Sequence, residues 1–168
     1  MSEGKNMKFF PSVREYINSV SDLLESPVVL SMNDYRQHGN VSCLEHCIFV
    51  SYISFLFCRK MGWDARSAAR GGLLHDLFLY DWHDTNLTGS LHGFTHPITA
   101  LNNANEHFNL EKIEQDIIKK HMWPLVPSLP SYKESFVVSF ADKYCAIAET
   151  LRLYKYTKIR RICLNYCK

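Results

Sequence analysis

Eight histidines among 168 residues raise metal chemistry first, because imidazole is the commonest protein ligand for a metal ion. His46 falls in the middle of an apolar stretch, and His75 is followed directly by Asp76. His96 stands before Pro97, His121 follows Ile117-Ile118-Lys119-Lys120, and Asp142 interrupts the apolar run Phe136, Val137, Val138, Phe140, Ala141. A carboxylate in such a run is costly to bury bare and needs a cation or a hydrogen-bond network beside it. His75-Asp76, behind Gly72-Leu73-Leu74, poses the same problem. Imidazole nitrogens together with carboxylate oxygens suit a divalent or mixed-valent transition metal, with Fe, Mn, Zn, Ni and Co as the candidates. A single histidine on an apolar face is, by itself, usually a core residue with a satisfied ring. The number of such positions argues for more than that here.

Helices must bring these residues together. Residues 11–25 put Val13, Ile17, Val20 and Leu24 on one face behind Pro11, and Pro27 stops the segment. Ser42 with Glu45 three residues on reads as a capping box. The helix it opens carries His46, Phe49, Val50, Ile53, Phe57 and Met61 and ends at Gly62. Asp64 caps the next, which runs through Ala68, Ala69 and Gly71-Gly72 to His75-Asp76. Residues 80–95 read as a loop, and Pro97 suits the first turn of a helix that reaches about His107. Another helix covers 110–121, and the last long one runs from about Ser131 to about Tyr154. Residues 155–161 read as a short basic surface helix. Strand signals are few. The expectation is an all-α fold, one domain over residues 1–168 with six or seven helices and the metal site in its core. Successive helical residues point about 100° apart, so His75 and Asp76 converge only on an ion across their shared edge. His46 and Asp142 would approach from other helices, as in metal-binding bundles.

The order His46, His75-Asp76, Asp142 on a helical scaffold resembles the HD-domain superfamily of metal-dependent phosphohydrolases, over residues 38–149. Leu73-Leu74-His75-Asp76 is similar to its central motif and Phe140-Ala141-Asp142-Lys143 to its closing one. His96 in His96-Pro97-Ile98-Thr99-Ala100 and His121 in Ile118-Lys119-Lys120-His121 resemble the two extra histidines of a two-metal branch. His92, in Leu91-His92-Gly93, is the rival to His96. The resemblance implies an HD-type bundle with His46, His75, Asp76 and Asp142 on one metal. Asp76, His96 and His121 would hold a second, with Asp76 bridging. It implies hydrolysis of a phosphate ester or phosphoanhydride by a metal-activated water. Bacterial diadenosine tetraphosphatases share this pattern, so a nucleotide or dinucleotide is the expected substrate. Asp76, Lys143 and His38 are the expected catalytic group, with Lys143 on substrate phosphate and His38 as acid toward the leaving group. Arg70 and Lys120 join Lys143 as candidate phosphate contacts. The chain departs from many two-metal members in one stretch. Leu77-Phe78-Leu79-Tyr80-Asp81-Trp82 stands where they carry a glycine and a lysine. Two other readings stay open: a mixed-valent di-iron oxygenase on the same scaffold, and a non-enzymatic metal- or ligand-binding signalling module.

Composition narrows the partners. Nineteen basic and 17 acidic residues leave a net charge of +2, so no nucleic-acid partner is expected. The apolar run 48–58 is too short to span a bilayer, and the N-terminal residues lack the apolar core of a signal peptide. A cytoplasmic location is expected, with a phosphorylated small molecule as partner and the oligomeric state left open. The six cysteines are then expected as thiols. Cys43/Cys47 and Cys163/Cys167 could build a four-thiolate zinc site, but neither pair has knuckle spacing.

Overall fold

The computed structural model describes residues 11–38, 40–81 and 92–151. Helix α1 (Pro11–Leu24) buries Val13, Tyr16, Val20, Leu23 and Leu24. Tyr16 and Leu23 thus lie deeper than the expected Ile17, which is only partly buried. After Ser26, α2 (Pro27–Leu30) and a 3-10 turn (Ser31–Asp34) lead into β1 (Arg36–His38). This strand pairs antiparallel with β2 (Val41–Ser42), and its register is irregular between Arg36 and His38. The hairpin was not expected; its strands are too short to show an alternating pattern. Helices α3 (Cys43–Met61), α4 (Ala65–Leu74), α5 (His92–His107), α6 (Lys112–Lys120) and α7 (Lys133–Thr150) complete the described residues. Seven α-helices and one two-stranded hairpin among the described residues make the fold all-α, as expected. No helix among the described residues is long and apolar enough to cross a membrane.

The expected caps are present. Ser42 Oγ accepts from Glu45 N at 3.2 Å while Ser42 N donates to Glu45 Oε2 at 3.3 Å, closing the capping box. Gly62 ends α3 in the left-handed conformation, with φ of 68°, where a side chain would be strained. Asp64 then accepts from Ser67 N and Ser67 Oγ at 2.9 and 2.8 Å. Only three residues separate α3 from α4, so the two helices fold back against each other.

Helix α4 is the central element, packed against α3, α6, α1 and α7. Its glycines explain how. A Cβ on Gly72 would lie 3.0 Å from the Ser51 Cα of α3, and one on Gly71 would lie 2.8 Å from three Ile117 carbons of α6. Ser51 fastens the same junction: its hydroxyl donates to Ala69 O at 2.6 Å and accepts from Tyr16 OH at 3.0 Å.

Two elements differ from expectation at their ends. Helix α5 starts at His92, one turn earlier than expected, and Pro97 lies inside it. So close to the start, a proline there removes only one intrahelical hydrogen bond. His96 therefore does not open the helix. Helix α7 starts at Lys133 and ends at Thr150. The expected helix over 155–161, and His83, lie outside the described residues.

Packing at Gly71 generates a direct check. Gly71→Ala forces a methyl group into Ile117 and should lower the unfolding free energy by about 1–3 kcal/mol. Urea denaturation measures it, and a wild-type midpoint would show that the close approach is not needed.

Candidate metal centre

Five elements deliver six side chains to one buried place. His46 comes from α3, His75 and Asp76 from the end of α4, His96 from α5, His121 from the end of α6 and Asp142 from α7. The four rings and Asp76 are buried, and the Asp142 side chain is only 13% exposed.

Local structure sets the direction of the rings. His75 and His121 occupy the same position, the residue that closes a helix. Each donates from Nδ1 to the carbonyl three residues back, Gly72 O and Ile118 O, both at 2.8 Å. A carbonyl has no proton to give, so Nδ1 must be the donor, and in the neutral ring Nε2 carries the lone pair. His46 is oriented by a carboxylate instead, with Nδ1 at 2.9 and 3.1 Å from the two oxygens of buried Glu149. Such outer partners set the tautomer and basicity of metal-ligating histidines.

The Nε2 atoms then meet two carboxylates. His46 Nε2 is 3.1 Å from Asp142 Oδ1, and His75 Nε2 is 3.6 Å from the same oxygen. His75 Nε2 is also 3.4 Å from Asp76 Oδ2. The other oxygen, Asp76 Oδ1, is 3.3 Å from His96 Nε2 and 3.5 Å from His121 Nε2, and those two nitrogens are 2.9 Å apart. Three groups have ligand atoms mutually within 4.8 Å: His46, His75 and Asp76; His75, His121 and Asp142; Asp76, His96 and His121. These clusters could hold a metal ion. The donor chemistry fits: His75 Nε2 and Asp76 Oδ1 are buried and make no hydrogen bond. A buried polar atom left so costs about 1–3 kcal/mol, and cations bound in these clusters would satisfy both atoms.

Burial pushes Asp76 up, but His75, His96 and His121 outweigh it and hold the carboxyl well below the usual range. Asp142 is also held well below that range, with His46 and His75 outweighing burial. Burial, and then the charge on His75, push His121 down to about 3. His46 differs: burial lowers its pKa, but hydrogen bonds to Asp142 and Glu149 raise it well above the ordinary value.

The remaining expected site residues fall into three groups. Lys143 stays beside the cluster, 3.8 Å from Asp142 Oδ2, but its ammonium donates to His121 O at 2.8 Å and to Ser139 O and Oγ at 3.1 and 3.2 Å. Burial lowers its pKa. Arg70 and Lys120 are corrections, because both cations are committed to the fold. Arg70 is buried and donates to Glu114 Oε1 at 2.9 Å and Asp22 Oδ1 at 2.6 Å, tying α4 to α6 and α1. Lys120 bonds Asp116 and Ser131 Oγ, both at 2.6 Å, tying the end of α6 to the approach to α7. His38 lies on β1 and His92 in the first turn of α5, but their side chains lie outside the described residues. Of the two rivals, His96 is the one seen in the cluster.

Cys43 and Cys47 are buried thiols at its edge, Cys43 Sγ donating to Asp76 O at 3.4 Å and Cys47 Sγ lying 3.8 Å from His75 Nδ1. Cys163 and Cys167 lie outside the described residues. Two residues of the site were not foreseen. Glu149 stands two helical turns after Asp142 on α7, a spacing readable in the sequence. Gln37 donates from Nε2 to Asp76 Oδ2 at 2.5 Å; it comes from the unforeseen hairpin, so nothing in the sequence pattern pointed to it.

No protein-family model matches the chain, and no match is found among curated proteins or among solved structures.

Cation uptake at His46 must displace a proton, so it is linked to pH. The raised pKa keeps His46 protonated at low pH, where a cation competes poorly. Apparent affinity should therefore strengthen from about pH 6 to about pH 8, by up to about tenfold per pH unit for one displaced proton. Metal titration by calorimetry across that range measures it, and a flat profile would remove His46 from the ligand set.

Proposed function

We propose that the chain is a metal-dependent phosphohydrolase with two transition-metal ions in the buried cluster. The observation that carries this reading is the placement of Asp76. One of its oxygens lies toward His75 and the other toward His96 and His121, so a single carboxylate can serve two neighbouring cations. His46, His75, Asp76 and Asp142 would hold one, and Asp76, His96 and His121 the other. The likeness of Leu73-Leu74-His75-Asp76 and Phe140-Ala141-Asp142-Lys143 to HD-superfamily motifs supports the same assignment.

Bound there, paired cations polarise phosphoryl oxygens and lower the pKa of a water molecule at neutral pH. The chain's own residues do the rest. Glu149, Gly72 O and Ile118 O hold three imidazoles in one tautomer with Nε2 inward. The Phe78 ring centre is 5.9 Å from that of His96, and burial of the cluster strengthens charge interactions inside it. Lys143 supplies positive charge next to Asp142 for an anionic substrate. Its amino group would exchange a backbone carbonyl for a phosphate oxygen. A nucleotide or dinucleotide is the substrate class we assign.

The test joins metal content to turnover. Untagged protein should contain about two metal equivalents per chain and hydrolyse members of a nucleotide and dinucleotide panel. His75→Ala, Asp76→Ala and Asp142→Ala should each lose both properties while far-UV circular dichroism stays helical. His121→Ala should fall to about one equivalent. Full metal content in all four variants would overturn the ligand assignment. Two irons with oxygen consumption and no phosphoester hydrolysis would replace the reaction with an oxidation. Metal without either activity would leave a binding module.

A further inference from the structure

The irregular β1–β2 hairpin places Gln37 against the metal cluster, and its side chain has no obvious structural purpose there. Gln37 is 6% exposed. Its Nε2 donates to Asp76 Oδ2 at 2.5 Å. An ionised carboxylate only accepts, so the amide must present its NH2 to Asp76. Gln37 Oε1 therefore faces away from Asp76, and it is buried without a hydrogen-bond partner. The hairpin is fastened without this side chain: Cys43 N donates to Tyr35 O at 2.8 Å, and Ser42 Oγ bonds Asn33 Oδ1 at 2.9 Å. For the fold alone, a buried amide with an unsatisfied carbonyl is inferior to an apolar side chain of the same length. Departures of this kind from good packing chemistry collect at functional sites.

We infer that Gln37 is a positioning residue for the metal centre: it holds Asp76 by Oδ2 and thereby leaves Oδ1 for the cation shared with His96 and His121. The inference rests on the two-metal reading above. The terminal torsion of an aspartate is broad and nearly two-fold, so the carboxylate needs an external restraint to keep one oxygen on each side. Gln37 supplies it from the hairpin, while His75 lies 3.4 Å from the same Oδ2.

Gln37→Met tests this, because methionine matches glutamine in length and fills the same space. Chelator-treated wild type and variant are compared by thermal unfolding, then titrated with Zn2+ or Co2+. The metal-free variant should remain folded and unfold somewhat below the wild-type temperature, because buried Asp76 Oδ2 loses a donor. Its affinity for both cations should fall about 10–100-fold, and its Co2+ absorption spectrum should change. A side chain that only packs would leave both readouts unmoved. Gln37→Asn, which keeps the amide but loses reach, should show the same loss and stands in if the methionine variant does not fold. Wild-type affinities and an unchanged Co2+ spectrum in the folded variant overturn the inference and leave the metal centre standing. A wild-type chain that takes up neither metal overturns both.

Discussion

The carboxylate of Asp76 is the constraint on which the rest of the structure depends. It lies at the end of the central helix, 3% exposed, and a bare charge there is among the costliest things a core can hold. Everything nearby offsets that cost. Four imidazoles, one amide and the closing turn of α4 converge on the two carboxylates. For the convergence to work, α4 must approach α3 and α6 more closely than side chains normally allow. Gly72 against Ser51 and Gly71 against Ile117 provide that approach. The packing of small residues and the chemistry of the site are one design: a bulkier α4 would stand off from its neighbours and pull Asp76 away from its partners.

Helix ends serve as ligand holders. A helix leaves carbonyl acceptors unpaired in its last turn, and His75 and His121 each use one of them, three residues back, to fix a ring. The same hydrogen bond satisfies an orphan carbonyl and selects the tautomer. His46, in the body of α3, has no such acceptor at hand and takes Glu149 from α7 in its place. This costs a third carboxylate at the site, but it adds negative charge behind the imidazole and raises its basicity.

Much of this was legible in the sequence. Ser42–Glu45, Gly62 and Asp64 are local signals, and local hydrogen bonds decide them. Of the six candidate ligands, Asp142 and His75-Asp76 were legible because such groups in an apolar run are costly to bury unless a partner meets them, while His96 and His121 came from the resemblance to a two-metal motif order. Glu149 could have been found by the same reasoning two turns beyond Asp142. Gln37 could not: its role comes from a hairpin whose strands, Arg36–His38 and Val41–Ser42, are too short to carry a readable pattern. Arg70 and Lys120 show the opposite failure. Charge type alone suggested phosphate, but whether a cation is free depends on residues distant in sequence, Asp22 and Glu114 for Arg70. The start of α5 was misplaced because Pro97 reads as a first-turn residue, and the preceding turn has no competing signal.

Among the described residues, the charged groups around buried Arg70 and those around Asp76 differ in a way that separates support from chemistry. Around Arg70, the guanidinium bonds Glu114 and Asp22, while the other Glu114 oxygen accepts from Glu111 N at 3.0 Å. That assembly is closed. One guanidinium meets two carboxylates, and its hydrogen bonds are made among its own members and the backbone, so it joins α1, α4 and α6. Around Asp76 the set is left open. Lone pairs of His75 and Asp76 point into one space with no donor to meet them. Removing one member of a closed network strands a charge and damages the fold. An open set of acceptors is already destabilising alone, and a cation is the species that reverses the sign of that contribution. The same physics that makes Arg70 a strut therefore makes Asp76 the centre of a cluster that could hold a cation.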